Sequence, residues 1–119
     1  MKVNPLNYEF HIKEGDTYPP LRIRLYNTSI DEAFNLQGYT GKFYMAPLGD
    51  KASPVVDGGT VNITDATNGE AQYEWSSADT ATAGQYTYEF RFTKGSDVFT
   101  VPVISPGVIY VETKIGVAS

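Results

Sequence analysis

His11 is the one histidine in the sequence, so an imidazole base could come from nowhere else. A nucleophilic hydrolase needs such a base beside a Ser, Thr or Cys. His11 instead falls between Glu9 and Lys13 at alternating positions, which is the pattern of a polar strand face. Metal binding by imidazole needs co-ligands at a set spacing, and the chain has no His-x-His pair and no cysteine. Glu70, Glu74 and Asp79 are the carboxylates that could support acid–base work of the glycosidase kind. Glu70, Gln72 and Glu74 share one parity, however, so they read as the solvated side of a single strand. Asp57, Asp65 and Asn68 offer oxygens for calcium but lack the order of an EF-hand loop, and turn-forming Asx residues account for them. Gly38-Tyr39-Thr40-Gly41 and Asp57-Gly58-Gly59 lack the lysine and helix of a phosphate-binding loop. The expectation is a binding protein and not an enzyme, with no catalytic residues, no metal site and no cofactor.

Aromatic side chains are the remaining chemical resource, with nine Tyr, six Phe and one Trp. Tyr18, Tyr26, Tyr44 and Tyr110 do not fit inward strand positions. An exposed Tyr serves protein contact or sugar contact through its amphipathic ring. Protein contact is the preferred reading, because no second Trp is present for sugar stacking. With Tyr8, Phe10 and His11 of an early strand, these four form the candidate interface: Tyr8, Phe10, His11, Tyr18, Tyr26, Tyr44 and Tyr110.

The elements that must hold these residues are strands. Period-2 alternation recurs at Tyr8–Lys13, Leu21–Tyr26, Tyr39–Met45, Ala71–Trp75 and Ile109–Val111, and most clearly at Tyr86, Tyr88, Phe90 and Phe92. Gly, Pro, Asn and Asp clusters separate the runs at roughly ten-residue spacing. This predicts an all-β, immunoglobulin-like antiparallel β-sandwich of about seven to nine strands. One short helical turn is allowed near residues 76–83. Two hairpins are expected, one across Asp65–Gly69 and one across a four-residue loop, Lys94–Asp97. The segment Asp79–Tyr86 resembles a sandwich corner in which a Tyr hydrogen-bonds backward, with Trp75 packed beneath it. Tyr8–Lys13 and Val108–Lys114 are expected to be sheet edges open to neighbours.

The 119 residues make one domain, 1–119, with residues 1–6 as an N-terminal arm and 116–119 as a short tail. The net charge of −5, with scattered Lys and Arg, speaks against a nucleic-acid partner. The first residues carry no apolar signal stretch, and no window approaches a membrane span, so no membrane partner is expected. Absence of cysteine fits folding in a reducing cytosol.

Several segments resemble a known family in their order along the chain. They are Gly15-Asp16-Thr17-Tyr18-Pro19-Pro20-Leu21, then Asn35-Leu36-Gln37-Gly38-Tyr39-Thr40, then Val55-Val56-Asp57-Gly58. After these come Thr64 through Trp75 and Ala78 through Phe90. The order is similar to the N-terminal domain of phage baseplate upper proteins, an immunoglobulin-like structural module, and covers roughly Glu14 to Val111. Asn35 stands where the family carries an acidic residue. The resemblance implies a bacteriophage virion structural protein of the baseplate or tail, assembled in the host cytoplasm and present in multiple copies per particle. Its partners would be other virion proteins. A capsid decoration or neck protein is the alternative within that class, and a carbohydrate-binding or adhesin module is the alternative outside it.

Overall fold

The computed structural model describes residues 2–4, 9–27, 32–101 and 107–116. Every regular element among them is a strand: β1 (Lys2–Asn4), β2 (Glu9–Lys13), β3 (Leu21–Asn27), β4 (Glu32–Ala33), β5 (Thr40–Pro47), β6 (Val56–Thr60), β7 (Asn62–Asp65), β8 (Glu70–Tyr73), β9 (Gly84–Lys94), β10 (Asp97–Val101) and β11 (Gly107–Glu112). Eleven exceeds the seven to nine expected, because β1 and β4 have only three and two residues. β1 lies within the N-terminal arm, residues 1–6, and pairs antiparallel with β3, Val3 opposite Leu25. Residues 76–83 form turns and no helix.

The strands build two sheets, an architecture compatible with a β-sandwich. The five-stranded sheet runs β1-β3-β8-β7, with β4 beside β3. The six-stranded sheet runs β2-β11-β9-β5-β6, with β10 beside β9. The eleven-residue β9 is the spine of the second sheet. Along one edge it pairs with β5, from Thr40 opposite Thr93 to Pro47 opposite Tyr86. Along the other edge it pairs first with β10 and then with β11. Val101 lies opposite Phe90 and Gly107 opposite Tyr88, so β10 and β11 are two stretches of one interrupted line of chain.

Alternation determines what is buried. Tyr86, Tyr88, Phe90 and Phe92 of β9 meet Leu21, Ile23 and Leu25 of β3 and Ala71 and Tyr73 of β8 in one core. Phe43 is its centre, 0% exposed. Its ring stacks on Tyr73 at 4.2 Å and meets Phe90 and Trp75 edge-on at 5.0 and 5.7 Å. Rings in such offset and edge-to-face pairs add about 0.5–1.5 kcal/mol each beyond the area they bury.

Three sequence expectations are corrected by the pairing. β11 is not an edge, since β9 covers one side and β2 the other. The β2–β11 pair is parallel, the one parallel pair in an otherwise antiparallel pattern among the described strands. The β9–β10 hairpin closes through two residues, because Lys94 and Asp97 are themselves a pair. Gly95 at φ 59° makes that possible, because tight hairpin turns need a positive φ that other residues rarely adopt. The Asp65–Gly69 hairpin joins β7 and β8 as expected.

The corner before β9 is fixed from both ends. The Tyr86 hydroxyl donates to the carbonyl of Thr82 at 2.7 Å, the backward bond expected of it. Asp79 accepts from the Tyr73 hydroxyl at 2.6 Å and from the Ser76 amide at 2.9 Å. Thr80, wholly buried, donates through Oγ1 to the Asp16 carbonyl and accepts from the Gly15 amide. Trp75 packs on Phe10, Phe43 and Tyr73, and no ring contact joins it to Tyr86. Its Nε1 is buried without a hydrogen-bond partner among the described residues.

Candidate interaction face

The residues that alternate with the core residues of the six-stranded sheet form its outer face. On β9 these are Thr87, Glu89 and Arg91, flanked by Tyr44 and Lys42 of β5 and by Tyr110 of β11. Tyr44 stands opposite Glu89 on one side and Asp57 on the other. The Asp57 contact depends on a bulge, since Phe43 pairs with Gly59 and Tyr44 with Asp57, leaving Gly58 over. Gly58 has φ 84°, which a residue with a Cβ rarely adopts, and bulges of this kind use glycine for that reason.

Two clusters occupy this face. In the first, the Arg91 guanidinium carbon lies 4.3 Å from the Tyr44 ring centroid, with Glu89 4.0 Å from the same guanidinium. Tyr44, Lys51, Asp57, Thr87, Glu89 and Arg91 line an open hollow of about 280 Å³ there. In the second, His11 and Tyr110 are register partners across the β2–β11 pair and stack at 4.6 Å with their planes 11° apart. Glu112 lies 3.9 Å from His11 Nδ1. His11, Lys13, Asp16, Tyr18, Pro19 and Glu112 line a second hollow of about 260 Å³, and Tyr18 on its rim is 74% exposed. The ion pairs are at the surface, so each adds at most a fraction of a kcal/mol to stability. Their effect is to give each ring a charged neighbour.

The structure therefore gathers His11, Tyr18, Tyr44 and Tyr110 on or beside one face. Tyr26 is elsewhere, on the five-stranded sheet, with the Arg24 guanidinium 5.2 Å from its ring. Phe10 is directed inward onto Trp75 and is part of the core packing, which removes it from the candidate interface. Tyr8 lies outside the described residues. Sequence reading missed Arg91, Glu89, Asp57 and Glu112, since only the register brings them to Tyr44 and Tyr110.

Of the carboxylates weighed earlier, Asp79 belongs to the corner, while Gln72, between Glu70 and Glu74, accepts from Arg22. Asp65 accepts from the amide and side chain of Asn68, which makes it a turn residue. Among the described residues no group of three or more His, Asp or Glu is placed to hold a metal ion. Two tyrosines titrate abnormally, and both serve the fold. Burial pushes the Tyr73 phenol far up, helped by its bond to Asp79 and that carboxylate's charge. Burial alone raises Tyr86. No protein-family model matches the chain, and no curated protein matches it.

Proposed function

We propose that this chain is a non-enzymatic structural subunit of a bacteriophage virion, an immunoglobulin-like module of the baseplate or tail. It docks on other virion proteins through the outer face of the six-stranded sheet. The observation that carries this reading is the pairing of two aromatic clusters with charged neighbours on one continuous face, Tyr44–Arg91 and His11–Tyr110. Tyr and Arg are the residues most enriched where proteins bind proteins. Support for the immunoglobulin-like assignment comes from the Tyr86–Thr82 bond at the corner and from the single Trp buried against the core rings. The family resemblance of the sequence supplies the virion.

Protein contact is favoured over sugar contact by the same geometry. The Arg91 guanidinium already lies on one face of Tyr44, and the His11 ring lies on one face of Tyr110. A sugar could stack only on the opposite face of each ring, whereas a protein partner engages the ring and its charged neighbour together. Docking of this kind works by area, and many copies on one particle let each contact be weak.

The test is reattachment. Purified protein mixed with phage particles that lack it should sediment with them at a fixed ratio. The double variant Tyr44→Ala, Tyr110→Ala should stay folded and remain in the supernatant. Failure of the parent protein to sediment with such particles would overturn the virion reading.

A further inference from the structure

The line formed by β10 and β11 runs along one edge of β9, and among the described strands β2 covers only the β11 half of it. Beside β10, on the side away from β9, no described strand lies. Exposed sheet edges are templates for further pairing, and proteins blunt them by shortness, bulges or charge. The other outer strands described are blunted in those ways. β1 and β4 have three and two residues. β6 and β7 each pair with a shift of register. β2 carries His11 and Lys13 at exposed positions. β10 instead pairs with β9 in unbroken register over all five residues, and its one charge, Asp97, lies at the turn. The two-residue turn also determines which groups are open. The pair that closes such a turn exchanges both hydrogen bonds, so Asp97, Phe99 and Val101 direct their backbone groups to β9. Val98 and Thr100 direct theirs to the outer edge.

We propose that β10 pairs antiparallel with β10 of a second copy, about a two-fold axis through Phe99. In that register Val98 stands opposite Thr100 of the second copy and Thr100 opposite its Val98. Both are hydrogen-bonded pairs, so every outward N–H and C=O of the two residues gains a partner. Neighbouring registers do worse. An axis through Thr100 sets Val98 opposite Pro102, which has no N–H, and an axis through Val98 sets Thr100 opposite Ser96 of the turn. A second copy is the occupant that symmetry favours. A two-fold contact closes both open edges at once and requires a strand that is its own complement, as Val98-Phe99-Thr100 is. Val98, 58% exposed, is covered by the β-branched side chain of Thr100 opposite it. On the core side, Phe99 meets its own copy across the axis and extends the ring contacts it makes with Phe92, Phe34 and Tyr39. Five residues a side make a small interface, so the association is weak, with a Kd of roughly 10 µM to 1 mM. This inference does not depend on the virion reading, because it concerns the isolated protein.

Sedimentation equilibrium across that concentration range tests it. The parent chain should show a monomer–dimer equilibrium. Thr100→Pro removes an N–H that the β9–β10 ladder does not use and places the proline ring in the seam. Proline is tolerated at such edge positions, so the variant should keep a thermal midpoint near the parent's while dimerisation weakens by about tenfold or more. The chain holds no cysteine, so single introduced cysteines report the register. In an antiparallel pair that lacks hydrogen bonds the two Cα atoms lie about 4.5 Å apart, within the span of a disulfide. Phe99→Cys should therefore become a disulfide-linked dimer on mild oxidation. Val98 would lie about 8 Å from its own copy, beyond that span, and Val98→Cys should remain unlinked. If Phe99→Cys does not fold, the proline variant still decides. A parent that stays monomeric, a folded proline variant that dimerises like the parent, or linking of Val98→Cys in preference to Phe99→Cys would each overturn the proposal. So would a monomeric parent whose reattachment to phage particles is lost on Thr100→Pro, which would assign the edge to another protein.

Discussion

The inner and outer faces of the six-stranded sheet come from alternate residues of the same strands, and they treat aromatic rings differently. Inside, Phe43 is enclosed by Tyr73, Trp75, Tyr88 and Phe90, and the Tyr73 and Tyr86 hydroxyls each have a fixed acceptor. Outside, Tyr44 and Tyr110 are each covered on one side by a guanidinium or an imidazole and remain half-buried. The difference shows that an aromatic ring in this fold is assigned to stability or to recognition by what covers its second side. The sequence alternation determines which face a ring takes, and the register determines its cover.

The largest effect should come from breaking the inner face. Phe43→Ala opens a cavity at the centre of the ring cluster and should cost about 3–5 kcal/mol in urea denaturation. If Tyr44→Ala, one residue along, cost as much, the contrast between faces would fail.

A smaller effect separates the faces by pH. The Tyr73 and Tyr86 phenols are raised in the folded chain above their ordinary value of 10.0, so the folded state holds those protons more tightly than the unfolded chain does. Their contribution is fully present below about pH 10 and is lost as pH rises through the folded values. Phenolate absorbance followed together with circular dichroism should therefore show a group of tyrosines that ionises only as the strand signal collapses. Ionisation of all tyrosines before any loss of structure would refute the buried bonds.

The smallest effect belongs to the outer face. Arg91→Ala removes an exposed guanidinium from a half-buried ring and should change stability by no more than about 0.5–1 kcal/mol. In the reattachment assay the same variant should lose most of its binding. Intact binding would shift recognition to the His11–Tyr110 cluster alone.

The sequence carried the strands and the core well because alternation is a local signal. Tyr86 to Phe92 could be read as one inward row, and the backward bond of Tyr86 could be expected from its place after the Asp79 corner. The neighbours of each strand were not legible. β11 was expected at an edge, and nothing in Gly107–Glu112 records that Glu9–Lys13 will lie parallel beside it. The hairpin at Gly95 was read two residues too long, because loop composition does not reveal whether Lys94 and Asp97 pair. For the site, parity found Tyr44 and Tyr110, while the charges that cover or flank them come from positions distant in sequence.

The parallel pairing of β2 with β11 has a kinetic consequence. Glu9 and Val108 face each other across nearly the whole length of the chain, so their contact closes a larger loop than the local β9–β10 or β7–β8 hairpins do. Loop-closure entropy must be met before such a contact gives any return, so this strand is added after the hairpins and the β5–β9 pairing have formed. Joined last, β2 is also among the first strands to detach when the sheet opens. The His11–Tyr110 stack, which bridges this pairing, is therefore completed only after the most distant parts of the chain have met.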